Sequence, residues 1–120
     1  MAKNNSARIA AFLANEYNAA NIVADTGLFD QAWLHLARAH IVAQTQLWPH
    51  CQSHWRMLNL AIRLRDWREV IGQIFRLILA PFGNLTRRLP IGNTGRANIS
   101  AFARREIPPD LQAILDPTAD

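Results

Sequence analysis

The chain has 120 residues, half of them apolar and 18% charged, with a formal charge of +4. That length fits one domain with no second core of useful size, and the composition excludes a disordered tail or a binding arm built from charge runs. One cysteine, Cys51, rules out an intramolecular disulfide, so a reduced compartment, the cytoplasm, is the expectation.

The N-terminal stretch is interrupted by Asn15, Glu16 and Asn18 and lacks the continuous apolar segment of a secretory signal. From Ser6 to Ile22 the residues Ile9, Phe12, Leu13, Tyr17 and Ala20 recur at the three-or-four-residue step of an amphipathic helix, with Ser6 as N-cap. Asp25-Thr26-Gly27 breaks that pattern, and a second helix runs from Leu28 to Gln44 with apolar residues on two sides, as expected of an element in the middle of a bundle. A third helix, opened by Pro49 in its first turn and running to Leu64, is expected to bury Cys51, Trp55, Leu58 and Ile62. The fourth, from about Trp67 to Leu79, has Val70, Ile71, Ile74, Leu77 and Ile78 as its core face, and Pro81 and Gly83 are expected to end it. The longest apolar run, Val70 to Phe82, contains Gln73 and Arg76 and falls short of the roughly 20 residues that span a bilayer.

Beyond Leu79, Pro81, Gly83, Pro90, Gly92, Gly95, Pro108 and Pro109 punctuate the chain. Leu85, Leu89, Ile91, Ile99, Phe102 and Ile107 supply scattered anchors, so residues 83–107 are expected to form an ordered strap across helices three and four, with Asn93 and Asn98 bonding backbone groups. A short helix from Pro109 to Leu115 follows. Phe29, Ala32, Trp33, Leu36 and Ala39 recur as Trp67, Val70, Ile71, Ile74 and Leu77, each 38 residues later, close to the tetratricopeptide period of about 34. The expected fold is therefore all-α: one domain of two antiparallel helical hairpins with tetratricopeptide-like packing (core about 6–80), then an irregular C-terminal strap and short terminal helix (about 81–120).

Charge is unevenly spread. Residues 1–55 sum to zero, residues 56–105 carry ten arginines against Asp66 and Glu69, and residues 106–120 carry four acids. Guanidinium groups suit bidentate contacts to carboxylate or phosphate. An Arg-rich interaction module is thus one reading, with Arg87, Arg88, Arg96, Arg104 and Arg105 contacting an anion or an acidic protein, and nucleic acid a weaker candidate. The plainer reading of the charged stripes is a solvated face. Trp33, Trp48, Trp55 and Trp67 are read as core, and Gly92-Asn93-Thr94-Gly95-Arg96 as turn chemistry rather than a phosphate loop.

The segments HLARAHIVAQ (35–44), HCQSHWRML (50–58), RDWREVIGQIFRL (65–77) and PIGNTGRANISAF (90–102) together resemble a bacterial family of short proteins, domain of unknown function 3703, over about residues 28–114. Gly92-Asn93-Thr94-Gly95 and His50-x-x-x-His54-Trp55 are the most specific parts of that resemblance. It implies no activity.

The chemistry therefore rests on the residues themselves. All four histidines, His35, His40, His50 and His54, fall within 20 residues. His50 and His54, four apart, share one helix face, and a hairpin closing around 43–48 brings His40 toward His50 and His35 toward the level of His54. Neutral imidazoles ligate zinc, copper or nickel, and Cys51 and Met57 are candidate sulfur ligands. His35 and His40 lie about 140 degrees apart around a helix, so His35 is a further ligand or a supporting group. Ser53 beside His54 and Cys51 beside His50 are sequence neighbours that do not face each other as a nucleophile and its base must. A non-enzymatic or accessory role built on a divalent transition metal is the leading expectation.

Overall fold

In the computed structural model, which describes residues 2–98 and 100–117, five helices follow one another: α1 (Ala2–Asp25), α2 (Phe29–Ala43), α3 (Leu47–Arg63), α4 (Trp67–Thr86) and α5 (Pro109–Leu115). No strand occurs among the described residues. The helices pack in chain order, α1 on α2, α2 on α3 and α3 on α4, and α5 lies against α1 and α2. Two helical hairpins and a central α2 match the expected architecture. No helix is long and apolar enough to cross a membrane among these residues.

The first hairpin is built as its periodicity requires. Ile9, Leu13, Tyr17, Ala20 and Ala24 of α1 meet Ala32, Trp33, Leu36 and Ala39 of α2 in one buried cluster, which Met57 of α3 and Leu111 of α5 complete. α1 begins well before Ser6, so that serine lies inside the helix and is not its cap.

The second hairpin departs from expectation. In α3 the buried side chains are His50, Ser53, His54, Met57, Leu58, Leu60 and Ala61, whereas Trp55 and Ile62 are exposed. α4 buries Glu69, Val70, Gln73, Arg76 and Ala80, and turns Ile71, Ile74 and Ile78 to the outside. Of the four tryptophans expected in the core only Trp33 is buried; Trp48, Trp55 and Trp67 are exposed. Both helices face each other with polar side chains, because those side chains bond one another there, and the apolar stripes are left on the outer side.

α4 also continues through Pro81 and Gly83 to an Arg87 cap in the left-handed region, φ 59. Pro81 removes one backbone donor and crowds the preceding turn. The extra turn persists because tertiary bonds hold it: the Asn84 side chain donates to the Gln44 carbonyl at 3.0 Å and accepts from the His50 ring at 2.7 Å. The start of α4 has a local signal, with the Asp66 carboxylate accepting from the Glu69 N–H.

The strap is pinned by a few residues. Asn93, almost fully buried, donates from its side chain to the Ser100 and Ala103 carbonyls, as expected for an asparagine in irregular backbone. Leu89 packs near Gly83 and Ile107 joins the core rim. Leu85 belongs to α4 and, like Phe102, is exposed, while Ile99 lies outside the described residues.

Met57, with no exposed surface, is the clearest core test: Met57→Ala is expected to cost about 2–5 kcal/mol, against about 0.5 kcal/mol or less for Leu34→Ala on an exposed face. Urea denaturation of both variants checks the contrast.

Candidate metal centre

His40 on α2 and His50 and His54 on α3 converge. Their three Nε2 atoms stand 3.2 Å from one another in a near-equilateral triangle, and all three residues are buried. Among the described residues they form the one group of three or more ligand-type side chains close enough to hold an ion.

What each ring does at its other nitrogen fixes its tautomer. His40 Nδ1 lies 2.7 Å from the carbonyl of Asn93, an atom that only accepts, so Nδ1 carries the hydrogen. His50 Nδ1 faces Asn84 Oδ1, and the Asn84 amide nitrogen is already donating to the Gln44 carbonyl. The oxygen therefore faces the ring, and His50 donates. His54 Nδ1 faces Gln73 Oε1 at 2.8 Å, while Gln73 Nε2 donates both to Glu69 Oε2 and to the Gly95 carbonyl. With both amide hydrogens committed to acceptors, the Gln73 oxygen must accept, and His54 too carries its hydrogen on Nδ1. Three Nε2 lone pairs are left pointing into one space.

Burial holds these rings neutral. It pushes His40 well below the ordinary histidine value, with the neighbouring His54 and His50 and then the Arg76 charge adding to the effect. Burial depresses His50 as well, and takes His54 down to about 3, against the opposing bond from Gln73. A proton is thus a poor partner for the three lone pairs, and a divalent ion, which needs neutral imidazole, is a good one.

A second ring of contacts supports the first. Glu69, buried beneath Gln73, also accepts from Arg96 Nη2 at 2.8 Å and from the Ala97 N–H. Arg96 stacks on Trp33, its guanidinium carbon 4.0 Å from the ring centroid. The Gly-Asn-Thr-Gly loop supplies the wall beside His40. Gly95 has φ +83, and a Cβ there would stand 2.7 Å from His40 Cγ and Cδ2, so the backbone approaches the ring as only glycine permits.

The other residues singled out from sequence lie elsewhere. His35 does not join the triangle; its Nδ1 donates to Glu16 Oε2 at 2.6 Å, and Glu16 also pairs with Arg38. Met57 is packed in the core and Cys51 lines an outer groove with Trp48 and Trp55. Arg96, expected at an anion or partner, is turned inward onto Glu69 and Trp33. Arg87, Arg88, Arg104 and Arg105 are exposed. Asn84, Gln73, Glu69 and the Asn93 carbonyl are the members that sequence reasoning missed. Their one signal was polarity in the wrong place, Gln73 interrupting an apolar run and Asn84 following Pro81 and Gly83.

Fold and site together define a small all-α protein with a buried three-histidine centre. Residues 7–115 match the model of the family described as "Protein of unknown function (DUF3703)", and the chain belongs to that family. No curated protein and no solved structure matches the chain.

The depressed histidines make stability depend on pH. Below about 6.5 the unfolded chain binds protons that the folded, metal-free protein refuses. Stability therefore falls on acidification from that value toward the folded pKa, which for His54 is about 3. Each such histidine contributes up to about 1.4 kcal/mol per pH unit in this window. Urea midpoints of metal-free protein are expected to drop between pH 7 and pH 5, and His54→Gln to flatten the drop; equal midpoints contradict the assignment.

Proposed function

We propose that this protein binds one divalent transition metal through Nε2 of His40, His50 and His54. Zinc, copper and nickel are the ions that an all-imidazole set suits. The observation carrying this reading is the convergence of three buried Nε2 lone pairs, each ring held by a partner that only accepts. Three acceptors are costly to bury without partners, and one shared cation satisfies all of them at once.

The dimensions agree with an ion. Corners of a triangle of side 3.2 Å lie about 1.8 Å from its centre, so all three nitrogens could reach one ion at the usual zinc–nitrogen distance of about 2.0–2.1 Å. Three protein ligands leave the fourth tetrahedral position to water or another exchangeable ligand, the arrangement found in reactive rather than purely structural zinc sites. Gln73 and Asn84 act as positioning residues, holding their rings by the Nδ1 hydrogens.

Titration of metal-free protein with zinc, copper and nickel, with elemental analysis of the purified chain, tests the reading. One ion per chain is expected, with His54→Ala weakening it more than about 100-fold and Gln73→Met by about 10- to 100-fold. Helicity should be retained. Binding no tighter than about micromolar, or unchanged affinity after His50→Ala with His54→Ala, would overturn it.

A further inference from the structure

The histidine triangle opens onto a cavity of about 190 Å³ whose lining includes all three rings, Gln44, Arg76 and Arg88. We infer that this cavity takes a small carboxylate with an apolar body, which enters the open position of the bound metal; the inference rests on the metal reading above. Three features select that chemistry. Buried Arg76 and exposed Arg88 both line the cavity, so two guanidinium groups stand at its wall, the first with Glu69 near enough to offset part of its charge. Leu79, Phe82 and Phe102 line the rest, which suits a short hydrocarbon or a ring. The volume is that of about six water molecules, below the range of about 300–1,000 Å³ typical for cofactors and drug-sized ligands.

Gln44 adds a further group. It lies one helical turn beyond His40, is 1% exposed, and its Oε1 has no hydrogen-bond partner, although its Nε2 donates to the Pro90 carbonyl. Gln44 lines the same cavity, so its Oε1 offers an unused acceptor to a hydrogen-bond donor that enters there.

The test uses cobalt(II) in place of the native ion, because its visible bands report the coordination sphere. Cobalt-loaded protein titrated with acetate and then benzoate should change its bands saturably, benzoate binding more tightly than acetate and benzyl alcohol leaving them unmoved. Arg88→Gln, at an exposed side chain, should weaken benzoate several-fold with cobalt affinity unchanged, and Arg76→Gln should weaken benzoate more than about ten-fold while cobalt, freed of a neighbouring positive charge, binds at least as tightly. Bound cobalt whose bands ignore benzoate would overturn the carboxylate site and leave the metal reading standing. Failure to bind cobalt would overturn both.

A different observation carries an interaction surface. Trp67, Ile71, Ile74, Ile78, Phe82 and Leu85 form a continuous stripe along α4, each 46–83% exposed. Beside it Trp48 and Trp55 of α3 line, with Leu77, a shallow groove. We propose that this face pairs with the same face of a second copy, the α4 ridge of one chain filling the α3–α4 groove of the other. With Ile62 and Phe75 the face exposes on the order of 1,000 Å² of apolar surface, against the about 800 Å² per partner of a standard stable interface. Its make-up fits a protein interface: aromatic and aliphatic side chains form the stripe and the groove, with no lysine on α3 or α4. A two-fold pairing of one patch with itself closes and leaves no open edge.

Sedimentation equilibrium should give a dimer, and Ile71→Glu with Ile78→Glu should weaken it at least about 100-fold. Metal binding and helicity should be kept, since both side chains are exposed. A monomeric wild type at about 100 μM, whether or not it binds anionic vesicles, would overturn the pairing, as would a dimer indifferent to the two glutamates.

Discussion

Three imidazole rings, each donating from Nδ1 to an atom that only accepts, are the constraint on which the second half of this structure depends. A histidine with one free choice of tautomer places its lone pair anywhere; these three have none. Gln73 is locked by Glu69 and the Gly95 carbonyl, Asn84 by the Gln44 carbonyl, and Asn93 presents backbone. The lone pairs meet as a result of bonds made on the far side of each ring. Such outer partners tune a metal site as strongly as many ligands do.

The constraint also explains the orientation of the helices. α3 and α4 turn their polar faces toward each other to make these bonds, which puts Trp55, Ile71 and Ile78 outside. For α4 it supplies the tertiary bonds at Asn84 that carry the helix past Pro81. The strap is recruited to the same end: Gly95 presses its backbone on His40, while Arg96 and Ala97 bond Glu69. Parts of the chain far apart in sequence thus converge on one small volume.

The all-α class, the two hairpins and the central place of α2 were legible because apolar spacing alone determines them. So was the grouping of His40, His50 and His54, since two ligands a turn apart and a third across a short connection need only a hairpin to meet. The rotation of α3 and α4 was not legible. Periodicity assigns the apolar face to the inside, and Ile71, Ile74 and Ile78 obey that rule in pattern while breaking it in place. His35 was indistinguishable from its neighbours by type and spacing, and its separation depends on Glu16, a partner from another helix. Gln73 and Asn84 looked like interruptions, because an amide's role as an acceptor depends on what binds its nitrogen.

Long-range nitrogen–proton correlation spectra of the histidine rings in metal-free protein at neutral pH test the central claim most directly. The account predicts three rings, those of His40, His50 and His54, with hydrogen on Nδ1 and a bare Nε2, and zinc addition should shift all three Nε2 resonances together. Hydrogen on Nε2 of any of the three, or an imidazolium among them, would contradict it.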